Sequence, residues 1–141
     1  MKKLIFLIAI TGMLTNSYAQ VIMSNEVPAV VTKVFAKANP KVSTVEWVKV
    51  EDNYKANYSV DEKDKSATYT AKGKVTETEM QITVASLPTA ALKYVNENYK
   101  DNHVKSASKI ITKGKTTYSA KLNGLSLTFA SNGKFVKSVT E

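Results

Sequence analysis

Residues 116–139, TTYSAKLNGLSLTFASNGKFVKSV, decide the fold. Tyr118, Ala120 and Leu122 alternate with Ser119 and Lys121, and after Asn123-Gly124 the residues Leu125, Leu127 and Phe129 alternate with Ser126 and Thr128. A period of two marks strands with one apolar and one polar face, and x-Gly pairs between such runs mark tight hairpins. Asn132-Gly133 turns the chain again into Phe135–Val139, and upstream Lys113-Gly114 separates Thr116–Leu122 from a further strand around Val104–Thr112. Four strands thus form an antiparallel meander whose second face carries Ser, Thr and Lys. Before them Leu87, Ala90, Ala91, Tyr94 and Val95 make one helical stripe behind Pro88, a residue suited to a first helical turn. A one-sided helix needs a surface, and the apolar sheet face supplies one.

An offset of 60 residues carries this pattern back along the chain. It aligns Val27-Pro28 with Leu87-Pro88, Lys49-Val50 with Lys109-Ile110, Tyr58-Ser59 with Tyr118-Ser119, Thr68-Tyr69 with Thr128-Phe129, and Gly73-Lys74 with Gly133-Lys134. The first helix shows Val27, Val30, Val31, Val34, Phe35 and Ala38 on one stripe, ended by Asn39-Pro40. Tyr54, Ala56, Tyr58 and Val60 then alternate with Lys55, Asn57 and Ser59, and Ala67, Tyr69 and Ala71 with Thr68 and Thr70. The hairpin between them reads as a longer charged loop, Asp61–Lys65, and the last strand, from Lys74 to about Val84, enters the second helix without a linker. The expectation is an α+β protein of two tandem repeats, each one helix packed on a four-stranded antiparallel meander, with residues 20–85 and 86–141 as the units. The two are expected to pack together, because an isolated unit of about 60 residues buries too little surface to be stable.

Lys2 and Lys3, the apolar run Leu4–Leu14 and the small residues Ser17 and Ala19 have the three parts of a secretory signal over residues 1–19. The run is far shorter than the roughly 20 residues of a membrane span. Cleavage before Gln20 leaves 122 residues with a formal charge of +6 and no membrane span, in the periplasm or outside the cell. The 141-residue chain has no cysteine, which excludes disulfides, thiolate chemistry and a lipidated N-terminal cysteine. All 20 basic residues are lysine, so the bidentate fork that arginine offers to phosphates and carboxylates is missing.

A helix opened by a hydrophobe and proline, followed by a meander carrying aromatic-x-x-x-Gly-Lys, resembles the PepSY-like repeats grouped with beta-lactamase-inhibitor-like proteins. The carrying residues are Tyr69–Lys74 and Phe129–Lys134, and the resemblance covers both units. The acid often found just after the aromatic is here Thr70 and Ala130, and the acid often found late in the last strand remains only as Glu77 or Glu79. The resemblance implies an exported, non-catalytic module, linked in some members to restraint of peptidases or beta-lactamases by binding.

The residues that could carry chemistry fit that implication. His103 stands alone in a polar connection, Asp61, Glu62 and Asp64 are interleaved with Lys63 and Lys65, and Glu77 with Glu79 reads as charge on an exposed strand face. No catalytic residue, cofactor site or metal site is therefore expected, and the dispersed lysines argue against nucleic acid. What remains is the polar sheet face, Lys55, Asn57, Thr68 and Thr70 in one unit with Lys121, Ser126 and Thr128 in the other. Trp47 joins these as either a core residue or an exposed anchor of the kind enriched in binding hot spots. The expected partner is another exported protein, an enzyme such as a peptidase that the chain inhibits or regulates. The alternative is an envelope-associated protein whose lysines attract acidic cell-surface polymers or small ligands.

Overall fold

A computed structural model describes residues 19–141. Except for Ala19, the signal segment read over residues 1–19 lies outside them. Nine strands follow one another in space as they do in sequence, all antiparallel: β1 (Gln20–Ile22), β2 (Glu46–Val50), β3 (Asn53–Val60), β4 (Lys63–Thr70), β5 (Val75–Ile82), β6 (Ser106–Thr112), β7 (Lys115–Leu122), β8 (Leu125–Ala130) and β9 (Phe135–Thr140). Helix α1 (Ala29–Ala38) lies between β1 and β2 in the chain, and α2 (Thr89–Asn98) between β5 and β6. Among the described residues no helix is long and apolar enough to cross a membrane.

This corrects the expected architecture of two helix-on-four-strand units. The molecule has a single nine-stranded sheet, because β5 and β6 pair over six residue positions from Glu77↔Thr112 to Ile82↔Ala107. Two separate meanders would each expose a row of unpaired backbone groups at this edge, and joining satisfies both. Thr112 adds a side-chain bond across the join, its hydroxyl donating to Glu77 Oε2 at 3.0 Å. β1 is a ninth strand outside the expected pattern, pairing Val21 with Val48. The charged loop Asp61–Lys65 is also shorter than expected. Asp61 and Glu62 alone make the turn, both at positive φ (53° and 63°), and Lys63 already belongs to β4.

Each helix begins the same way. The Pro28 carbonyl accepts the Val31 amide at 2.9 Å, as the Pro88 carbonyl accepts that of Ala91. At the other end Asn39 Nδ2 donates to the Phe35 carbonyl, which also accepts the Asn39 amide, and Asn98 Nδ2 donates to the carbonyl of Tyr94. Val31 and Phe35 of α1 bury against Trp47, Ala56, Ala67 and Tyr69, and Phe35 sits edge-on to Trp47 and Tyr58 with ring centroids 5.4 and 5.0 Å away. Ala91 and Val95 of α2 bury against Ala107, Ala120, Leu127 and Phe129, and Tyr94 stacks on Phe135 at 4.6 Å. The small alanines directly under each helix let its axis approach the sheet, and the aromatics close the flanks.

Both helices lie on the same face. Cross-strand partners share a face and residues two apart along a strand return to it. Ala67, under α1, pairs with Thr78. Four residues further along β5, Ile82 pairs with Ala107 under α2. The opposite face of all nine strands carries no helix.

Candidate functional site

On the helix-free face the register lines up polar side chains in two rows that share β5, the second of which crosses the β5–β6 join. One row runs Glu46, Asn57, Ser66 and Glu79 through β2–β5. A second takes Gln81, Ser108, Ser119 and Thr128 through β5–β8. All of these but Ser119 and Thr128 line an open groove of about 670 Å³, rimmed by Lys41–Thr44 from the connection after α1 and reaching Ser106 and Lys121 on β6 and β7. Its acids are held by neutral donors: Asn57 Nδ2 donates to Glu46 Oε1 at 3.2 Å, and the Ser59 hydroxyl to Asp64 Oδ1 at 2.8 Å. Both charge signs are therefore present, with Lys41, Lys55, Lys65 and Lys121 around Glu46, Asp64 and Glu79. Lys121 reaches Glu141 at 3.2 Å, and both side chains are about half exposed.

The residues expected at the binding face divide. Lys55, Asn57 and Lys121 line the groove. Thr68, Ser126 and Thr128 share its face by register but lie outside its lining. Ser126 is bonded to Ser119, hydroxyl to hydroxyl, at 3.3 Å. Thr70 serves the β4–β5 turn, where its hydroxyl accepts the Lys74 amide at 3.2 Å. Trp47 leaves the set: it is 3% exposed on the helix side, packed between Phe35 and Tyr69, and an indole buried there meets no partner. The reason is that β2 is apolar on both sides. Val48, facing the other way, is buried as well, paired with Val21 on β1 and Lys55 on β3, so alternation alone does not say which side carries the anchor.

The groove residues that strand reading within each unit omits are Ser66, Glu79, Gln81, Ser106 and Ser108. Their parity is readable, yet they become one surface only once β5 pairs with β6. Glu77 and Glu79 do share a face, but Glu77 is engaged by Thr112 across the join. His103 is exposed in the connection after α2. Among the described residues no group of three or more His, Cys, Asp or Glu side chains converges on a point that could hold a metal ion. Burial pushes the Tyr58 phenol above its ordinary value. It does the same to Tyr69, helped by the neighbouring Tyr58. Both rings therefore remain neutral through the physiological range.

A family model described as beta-lactamase-inhibitor-like, PepSY-like matches residues 52–137. Among solved structures the fold is similar to a protein of Bacteroides eggerthii described as periplasmic (TM-score 0.74, 13% identity, 80% of this chain and 88% of that one). It is also similar to a DUF2874 family protein of Bacteroides uniformis (TM-score 0.72, 16% identity, 80% and 88%). A third is a BLIP-like protein of Bacteroides fragilis (TM-score 0.64, 20% identity, 94% and 93%). No curated protein matches the chain.

Proposed function

The chain belongs to the PepSY-like, beta-lactamase-inhibitor-like family, and on that premise we propose that it is a non-catalytic, exported binding module that takes a protein partner in the groove of its helix-free sheet face. The observation that carries this reading is the groove itself, about 670 Å³ in volume and floored by paired strands. Groups fixed on rigid elements lose little freedom when they bind. The family is named for likeness to an inhibitor rather than for a reaction, which supports binding over catalysis.

The charge pattern selects the kind of partner. A polyanion is best met by lysines without acids beside them, whereas Glu46, Asp64 and Glu79 stand among the groove lysines. A surface of mixed sign suits another protein, and a periplasmic or secreted enzyme such as a peptidase, restrained by steric cover, is the partner class that fits. The test is capture of envelope proteins by the purified chain and by its Lys55→Glu/Lys121→Glu variant. Loss of a stoichiometric partner in the folded variant is expected, and unchanged capture overturns the reading.

Export follows from the N-terminal pattern and is supported by the description of a structural neighbour as periplasmic. Gln20 is then both the mature N-terminus and the first residue of β1. Intact-mass analysis of the protein from its native host is expected to give a species beginning at Gln20, and a dominant species retaining Lys2 refutes it.

A further inference from the structure

The helix-bearing face holds a second site that the groove does not explain. Between the two helices one cross-strand row reads Tyr58, Lys65, Met80, Lys109 and Tyr118 over β3–β7. Its tyrosines pack against the α1 and α2 cores respectively, but Met80 belongs to neither, and neither does Ile111, which is 38% exposed. A cleft of about 240 Å³ opens here, lined by Tyr58, Lys65, Thr78, Met80, Lys109 and Ile111, with Ser66 and Glu79 at its margin.

Lys65 and Lys109 flank Met80 on the two neighbouring strands, so their Cα atoms stand two strand spacings apart, about 9.6 Å. Two flexible lysine stems are long enough to reach inward over that span. Neither lysine makes an ion pair or side-chain hydrogen bond among the described residues, although both are half-buried. Asp64 and Glu79 alternate to the other face by register, and although Glu79 also lines the cleft it forms no ion pair with either lysine. Two like charges without an ion-pair partner repel each other, and an anion placed between them relieves this.

We propose that this cleft binds a small amphiphilic anion, its single anionic head held between Lys65 and Lys109 and its short apolar tail laid on Met80 and Ile111 against the Tyr58 ring. Lysine ammonium groups act as point charges without the geometry that separates carboxylate from phosphate. The shared chemistry is therefore an anionic head on a tail small enough for the cleft, at the lower end of ligand-site volumes. The cleft shares Tyr58, Lys65, Ser66 and Glu79 with the groove lining, whereas Thr78, Met80, Lys109 and Ile111 belong to the cleft alone.

The test is titration of protein carrying ¹³C-labelled methionine methyls with sodium octanoate and, separately, with octyl phosphate, 1-octanol serving as the uncharged control. The Met80 methyl is expected to shift saturably with affinity of about a millimolar, as a ligand of this size permits, while the exposed Met23 near β1 stays in place. The tighter of the two anions identifies the head group. Lys65→Gln/Lys109→Gln is expected to weaken binding at least about tenfold, and Lys55→Gln/Lys121→Gln to leave it unchanged. Absence of a saturable Met80 shift with either anion overturns the proposal, as does octanol binding as tightly as octanoate, or equal affinity in the folded Lys65/Lys109 variant.

Discussion

Replacing Gly133 by alanine separates two costs that the tight turns of this sheet combine. Gly133 has φ +87°, and a Cβ built there meets the Cβ atoms of Ala90 and Pro88 at 2.9 Å and the backbone nitrogen of Ala91 at 3.0 Å. The first turn of α2 rests on the β8–β9 turn, and only a residue without a side chain fits between them. Left-handed backbone costs alanine about 1–2 kcal/mol. Forcing the helix backbone away adds about 1–3 kcal/mol of overpacking, for a total of roughly 2–5 kcal/mol. Gly124 has φ +71° with nothing within 4 Å of its Cβ, so Gly124→Ala bears only the first cost, about 1 kcal/mol once the stiffer unfolded chain is counted. Gly73 lies between them, because its Cβ meets the Val30 and Val34 methyl tips at 3.2 and 3.3 Å, and these can give by a few tenths of an ångström. Urea unfolding of the three variants at unchanged m-value measures the order Gly133→Ala, then Gly73→Ala, then Gly124→Ala. The first midpoint is expected about 1–2.5 M below wild type for an m of about 2 kcal/mol/M. If Gly133→Ala and Gly124→Ala agree within about 0.5 kcal/mol, the helix does not rest on this turn and the reasoning fails.

Phe129, fully buried beneath α2 with Tyr94 and Phe135 against it, is expected to cost about 3–5 kcal/mol as Phe129→Ala, while Lys121→Ala costs under about 1 kcal/mol because its ion pair with Glu141 is exposed; similar denaturation midpoints for the two contradict this. Tyr58 and Tyr69 have raised folded-state values, so folding favours their neutral forms. That stabilisation is complete below the unfolded tyrosine value near 10 and is lost as pH rises through the folded values. Thermal melts of wild type are expected to fall above about pH 10 more steeply than those of Tyr58→Phe/Tyr69→Phe, and parallel profiles refute the burial argument.

What was legible in the sequence is local. The alternation of Tyr118, Ala120 and Leu122 with Ser119 and Lys121 places β7 correctly on both faces, and Lys113-Gly114, Asn123-Gly124 and Asn132-Gly133 mark real turns. Of the stripes led by Val27 and Leu87, Val27, Val31 and Phe35 and then Leu87, Ala91 and Val95 are buried, whereas Val30, Ala38 and Ala90 are exposed. The pairing of β5 with β6 was not legible, since an edge carries no signal in its own residues: its backbone groups require a partner, and any neighbouring strand can supply one. Taken apart, the units show only two patches of the groove, without Glu79, Gln81 and Ser108 near the join, and divide the helix-side row through Lys65, Met80 and Lys109. Trp47 stays open between core and anchor in the sequence for another reason. β2 buries Val48 on one side and Trp47 on the other, which removes the polar-apolar contrast on which a parity argument depends.

The central claim is that the helix-free groove, rather than the helix surfaces, receives the partner. Capture from an envelope fraction by wild-type protein, by Lys55→Glu/Lys121→Glu and by Lys33→Glu/Lys93→Glu tests it directly, each variant first checked to melt near the wild-type midpoint. The account predicts a saturable, stoichiometric partner that is lost with the groove pair and retained with Lys33 and Lys93, which lie on α1 and α2 away from the groove. Capture that survives the groove pair and disappears with the helix pair contradicts it.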